Sequence, residues 1–90
     1  MTVQELNTAL GDNVKLYRRL KNMSQAELAG KAGVSRLLLV DCEAGRKMPK
    51  ALSLLLLAQA LGVQVWEFFY TGKVVLMGDE KLQRTAGGKR

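Results

Sequence analysis

The chain is predicted to fold as an all-α domain of five helices, and three observations in its 90 residues carry that prediction. Proline occurs once and aromatics make up only 6% of the chain, a composition that suits a helical bundle better than a sheet. Apolar residues return at helical spacing, as in Leu6 and Leu10, or Leu54, Ala58 and Leu61. Helix stop and start residues punctuate the middle of the chain in close succession. Serine caps at Ser24 and Ser35 alternate with glycines at Gly33 and Gly45.

The stretch 24–45, SQAELAGKAGVSRLLLVDCEAG, organises the rest. Ser24 and Glu27 have the spacing of a capping box, with Met23 and Leu28 placed as a hydrophobic staple around it. Gly33 ends this helix because glycine enters the left-handed conformation without a Cβ penalty. Ser35 opens a second helix, with Val34 and Leu39 as its staple, and Gly45 closes it. Two short helices joined by a glycine turn form a helix-turn-helix, the unit whose second helix enters a DNA major groove.

Before this unit, Thr2 and Glu5 suggest another capping box and a helix with Leu6 and Leu10 on one face. Gly11-Asp12-Asn13 is expected to interrupt it, leaving two readings of the first residues, a separate turn or an extension of the next helix. That helix ends at Asn22 as a C′ residue. After the unit, Arg46-Lys47-Met48-Pro49-Lys50 reads as a loop, since Pro49 restricts the residue before it to extended backbone. A fourth helix is expected over about Ala51 to Leu61, stopped by Gly62. A fifth follows from Val65 to Tyr70, closed by Gly72. Leu28, Val34, Leu39, Cys42, Leu54, Leu55, Ala58, Leu61, Val65, Phe68 and Phe69 are expected to fill the core. Residues 1–72 are thus taken as one domain. The β-branched stretch 73–77 between Gly72 and Gly78 predicts a short strand within a segment 73–78, lacking a partner in a helical domain. Residues 79–90 are expected to form a disordered basic tail.

Composition excludes several function classes. With no histidine and one cysteine, the usual structural zinc site cannot be built, no internal disulfide can form, and the commonest general base is missing. No metal, no cofactor and no catalytic residue are expected, and the chain is not read as an enzyme. Cys42 reads as a small buried hydrophobe and not as a reactive thiol. The most apolar run, Ala51–Leu61, contains Gln59 and is too short to span a bilayer. No signal core follows the N-terminus, so no membrane association and a cytoplasmic location are expected. The formal charge is +6, and residues 13–50 hold nine Lys or Arg against only Glu27, Asp41 and Glu43. The whole excess therefore lies on the stretch that carries the helix-turn-helix, as phosphate binding requires.

These residues also resemble the Cro and lambda-repressor-like (XRE-family) helix-turn-helix regulators. The matching positions are Leu10, Gly11, Val14, Arg18, Ser24-Gln25, Leu28-Ala29, Gly33-Val34-Ser35, Leu39, Glu43, Gly45, Pro49, Leu54, Leu57-Ala58, Leu61-Gly62-Val63 and Phe68. The resemblance covers Leu10 to Phe69 without insertions and implies a five-helix domain whose first helix spans about Asn13 to Lys21. It implies a double-stranded DNA partner and a dimeric regulator, a repressor by class, with the third helix in the major groove. Arg18 and Glu43 occupy family positions that form a buried ion pair, and the helical period turns both inward. Gln25, at the start of helix 2, matches a phosphate-contacting position.

Base reading is expected from the start of helix 3, through Ser35, Arg36, Leu37, Val40 and Asp41. Arg36 is suited to guanine and Leu37 to a thymine methyl. Arg46, Lys47 and Lys50 are expected on backbone phosphates. The chain departs from the family where it reads RLLLVD, since Leu37, Leu38 and Val40 stand where polar residues are common. Leu52, Leu56 and Trp66 are likewise apolar at positions usually polar. Such stripes mark partner surfaces, and a homodimer through Leu52, Leu56 and Trp66 is expected, with Val74, Val75, Leu76 and Met77 pairing across a two-fold axis. Two rivals stand beside it. The C-terminal segment can fold back over these residues, or the helix 3 and helix 4 surface can serve a protein partner, as in an antitoxin or adaptor with weak or no DNA binding.

Overall fold

The computed structural model describes residues 1–70 together with two strands, Val74–Met77 and Lys81–Arg84. Among these residues there are four α-helices, α1 (Val3–Leu20), α2 (Gln25–Ala32), α3 (Arg36–Glu43) and α4 (Ala51–Leu61), followed by a 3-10 helix over Val65–Phe69. The fold class is as expected, with the fifth helix realised as a single 3-10 segment ending one residue early.

Helix α1 decides between the two readings of the first residues: they extend the next helix, and Gly11-Asp12-Asn13 do not interrupt it. It runs uninterrupted through all three residues from a capping box, in which the Thr2 hydroxyl accepts from the Glu5 amide at 3.1 Å and the Glu5 carboxylate accepts from the Thr2 amide at 2.7 Å. Glycine in a helix interior ordinarily costs about 1 kcal/mol relative to alanine. Here it serves the crossing of α1 over α3, because a Cβ on Gly11 would collide with the carbonyl oxygen of Cys42. Asn22 adopts φ 57°, and the Asn22 and Met23 amides donate to the carbonyls of Arg19 and Arg18, closing α1 as a Schellman motif.

The two helices of the motif begin on the expected residues; α2 runs on to Ala32, past the expected end at Gly30 or Lys31, and α3 stops at Glu43, one residue short of the expected Ala44. Ser24 and Glu27 form a reciprocal capping box, and the Ser35 hydroxyl accepts from the Leu38 amide at 3.0 Å. Gly33 and Gly45 take φ 78° and 74°. Gly62 ends α4 in the same left-handed conformation.

The core lies where α1, α2, α3, α4 and the 3-10 helix converge. Leu10, Val14, Leu28, Leu39, Cys42, Leu57, Leu61 and Phe68 are sealed from solvent within it. Complete burial stabilises a large apolar side chain by about 1.5–3 kcal/mol, so these positions dominate the stability of a domain this small. Tyr17 packs on Phe68 with ring centroids 6.3 Å apart. Asn13 donates to the carbonyls of both Phe68 and Tyr70, at 2.7 and 2.8 Å, and so fastens the 3-10 helix to α1.

Two expected core residues face outward. Leu55 and Phe69 are exposed, while Leu57 and Ala60 take inward positions on α4. A nearly continuous apolar run carries no polar face from which to read the helix phase. Val34 and Val65 are half-buried against the core. Leu38 and Leu56, expected on the wet surface, are also half-buried against it.

The strand expected at 73–77 is present as β1, Val74–Met77, but it does not lack a partner. It pairs antiparallel with β2, Lys81–Arg84, in a register that sets Val74 opposite Arg84 and Met77 opposite Lys81. Residues 81–84 of the expected disordered tail are therefore a strand. Lys81-Leu82-Gln83-Arg84 holds none of the β-branched or aromatic residues that mark a strand, so composition alone does not reveal it. Gly72, Gly78 and the rest of the tail lie outside the described residues. No helix among the described residues is long and apolar enough to cross a membrane.

Candidate nucleic-acid interface

The site begins with the geometry that holds α3. At its C-terminal end, Arg18 of α1 donates to both carboxylate oxygens of Glu43, from Nε to Oε2 at 2.7 Å and from Nη2 to Oε1 at 2.9 Å. The remaining Arg18 nitrogen, Nη1, donates to the Met23 carbonyl at 2.8 Å. Both side chains are buried. Hydrogen bonding to Glu43 raises the Arg18 pKa further, against the opposing effect of burial, so the guanidinium stays charged. The pair expected between these residues is therefore formed, and each charge is satisfied by the other.

Gln25 joins the same network. Its Nε2 donates to Glu43 Oε1 at 3.1 Å, so the side chain expected on a phosphate is half-buried and tied to the end of α3. One amide hydrogen and the carbonyl oxygen of Gln25 remain for another partner. The network joins α1, the start of α2 and the end of α3, and it fixes the spacing between the two helices of the motif. Sequence reading found the ion pair but not this third member, because a glutamine at a helix start has the same local signature whether it faces solvent or a neighbour.

The outer face of α3 is its N-terminal half. Ser35 and Arg36 are exposed, and Leu37 is 68% exposed. Val40 is half-buried, and with Leu38 turned inward only Leu37 of the three apolar residues projects freely. The expected apolar face is thus narrower than RLLLVD suggests, because helical phase takes Leu38 into the core.

Asp41 is held by Arg46, whose Nε and Nη2 approach Asp41 Oδ1 at 2.9 and 2.8 Å. The Arg46 amide also donates to the Asp41 carbonyl at 2.9 Å, closing α3 through Gly45. The Arg46 side chain nonetheless remains largely exposed. Lys47 and Lys50 are exposed and form no ion pair among the described residues. Pro49 between them is buried and anchors the loop. A groove of about 470 Å³ runs between α3 and this loop, lined by Ser35, Leu37, Leu38, Asp41, Lys47, Met48, Pro49, Lys50 and Ser53. It brings Ser35, Leu37, Asp41, Lys47 and Lys50 together on one side of the molecule.

Cys42 lies under this surface, fully buried, and burial assisted by the adjacent Glu43 carboxylate pushes its thiol up to about 12. A thiol held protonated in this way is no nucleophile at neutral pH. Among the described residues no group of three or more His, Cys, Asp or Glu side chains is placed to hold a metal ion.

This arrangement of capped helices, buried ion pair and cationic loop defines a helix-turn-helix domain of the Cro and lambda-repressor-like type. The helix-turn-helix family model HTH_3 matches residues 14–65, and the chain belongs to that family. It is 37% identical over 59 residues to the uncharacterized HTH-type transcriptional regulator y4dJ of Sinorhizobium fredii, covering 66% of this chain and 77% of that protein. It is 39% identical over 56 residues to the immunity repressor protein of Bacillus phage phi105, covering 62% of this chain but only 39% of the repressor. Among solved structures it resembles the biofilm regulator SinR in complex with DNA, with a TM-score of 0.64 and 33% identity, covering 66% of this chain and 95% of that one.

Proposed function

We propose that this chain is a sequence-specific double-stranded DNA-binding transcriptional regulator that acts as a repressor and binds as a dimer, with α3 in the major groove. The observation that carries the reading is the groove, which sets the exposed start of α3 beside Lys47 and Lys50 on one face. An α-helix fits the major groove, and flanking cations then meet the phosphates on either side. Similarity to a protein named as an immunity repressor and to SinR solved with DNA supports the same reading.

Within it, Arg36 donates bidentately to a guanine and Leu37 packs on a thymine methyl, with Ser35, Val40 and Asp41 bordering the base contacts. Arg46, Lys47 and Lys50 hold phosphates, and Gln25 offers its free amide hydrogen to another beside the first turn of α2. The DNA-binding unit is residues 1–72.

The dimer rests on α4 and the 3-10 helix. Leu52 and Leu55, three residues apart, are 68% and 53% exposed, and Trp66 and Phe69, also three apart, are 54% and 49% exposed. In a 3-10 helix residues three apart eclipse, so Trp66 and Phe69 share one side. Leu56 contributes less than expected because it packs on its own core. Val74, Val75, Leu76 and Met77 already have β2 as a partner, so pairing of β1 across a two-fold axis is not part of the proposal.

The test is binding to random-sequence duplex over a range of salt. Three phosphate-binding cations per protomer, or six per dimer, correspond to a slope of log K against log salt near −5 (about −0.9 per phosphate). A flat salt dependence, or no binding at low salt, would refute the regulator reading. A monomer mass independent of concentration in sedimentation would remove the dimer.

A further inference from the structure

We propose that the first three turns of α1 act as a brace that positions the cationic loop Arg46–Lys50 for DNA, with Gln4 and Thr8 as positioning residues. The proposal rests on the DNA-binding reading above.

The family match begins at residue 14, yet α1 starts at Val3 and is capped by its own box at Thr2 and Glu5. The turns that carry Gln4 and Thr8 therefore precede both that match and the resemblance that begins at Leu10. They are stabilised as a helix from their first residue, and they reach a specific place. Gln4 and Thr8 stand one helical turn apart on the same face. Gln4 Nε2 donates to the carbonyl of Gly45 at 3.0 Å and to the Thr8 hydroxyl at 3.2 Å. On the other side of that peptide, the Gly45 Cα faces Thr8 so closely that a Cβ would stand 3.1 Å from the Thr8 hydroxyl and 3.2 Å from its Cα.

Gly45 is the joint between α3 and the loop. It adopts φ 74°, a conformation glycine enters and leaves with little steric penalty, so the joint is intrinsically soft. Rotation there would swing Arg46 and Lys47 relative to the base-reading residues of α3. The brace removes that freedom from above by packing and from the side by a hydrogen bond, with Gly45 buried beneath Gln4 and Thr8, which stay exposed. The cations are then presented in fixed register with Arg36 and Leu37 before DNA arrives. Binding avoids the entropic cost of ordering them afterwards.

The variant Gln4→Met keeps side-chain length and helix propensity and removes the donor. The first measurement is amide exchange in the free protein. The Gly45 and Arg46 amides, which donate to Cys42 and Asp41, are expected to exchange about tenfold faster in the variant, while the Leu39 amide inside α3 keeps its wild-type rate. Unchanged exchange at Gly45 and Arg46 overturns the brace. The second measurement is affinity for random duplex, expected to weaken about three- to tenfold with a salt slope smaller by about two, one phosphate contact in each protomer of the dimer. Faster exchange with unaltered affinity and slope overturns the positioning role, since general loosening alone would leave the slope in place. A wild-type protein that fails to bind duplex at all removes the DNA reading and this proposal with it. A wild type that binds beside an unaltered variant removes only the brace.

Discussion

Gly11 and Cys42 meet backbone to backbone where α1 crosses α3, and a methyl group on Gly11 would occupy the space of the Cys42 carbonyl oxygen. The carbonyl of Glu43 would lie only 3.1 Å from the same carbon. Neither is a flexible side-chain end that can yield. The contact fixes how closely α3 lies against the rest of the domain.

Gly11→Ala is therefore expected to destabilise the protein by about 1–3 kcal/mol in chemical denaturation, despite alanine's better helix propensity. Gly30 supplies the control. It sits inside α2 with nothing within 4 Å of its would-be Cβ, so Gly30→Ala is expected to stabilise by about 1 kcal/mol. Equal effects from the two substitutions would show that propensity, and not the crossing, governs Gly11.

The Arg18–Glu43 pair gives a second prediction. Glu43→Leu alone leaves a buried guanidinium without its carboxylate and is expected to cost about 3–5 kcal/mol. The double substitution Arg18→Met with Glu43→Leu removes both charges and is expected to recover most of that loss. Denaturation of the two variants together measures the coupling, and additive losses would place the pair's role elsewhere.

Acid should weaken the fold through its helix caps. Backbone and side-chain hydrogen bonds from Thr2 hold the Glu5 carboxyl below its ordinary pKa, and those from Ser24 do the same for Glu27. A depressed folded-state value means that their contribution is complete above the ordinary carboxylate value, about 4.3. It is lost as pH falls through the lower folded values. Thermal melts are expected to drop over that acidic window, and Glu27→Gln should flatten part of the drop. A Glu27→Gln profile parallel to wild type would exclude the cap as its source.

Asp41 restrains Arg46 at the edge of the interface. Asp41→Asn removes the carboxylate that competes with phosphate for the guanidinium, so duplex binding is expected to tighten several-fold while the salt slope, which already includes Arg46, stays near −5 (about −0.9 per phosphate). If Asp41 instead accepts from a cytosine amino group, the substitution will shift base preference in selected binding sites. The two outcomes separate electrostatic restraint from base reading.

Much of this architecture was legible in the residues. Serine caps, left-handed glycines and a charge excess confined to residues 13–50 fixed the helix-turn-helix and its cationic side. The facing of α4 was not legible, because ALSLLLLAQAL is apolar almost all round and only tertiary packing decides that Leu57 goes in while Leu55 stays out. The continuity of α1 was hidden for a different reason. A glycine in a helical pattern has the local signature of a breaker, whereas the role of Gly11 is a contact with a residue 31 positions away. The positions of Gln25 and Asp41 point only to DNA, and their partners Glu43 and Arg46 emerge from side-chain geometry.

The sealed Cys42 thiol turns this chain into its own stopwatch. It is the sole sulfhydryl in the sequence, it is wholly covered, and its proton is held to about 12. A disulfide reagent such as Ellman's can reach it only when the helices part, so the rate of colour development in native buffer times that parting without any introduced dye.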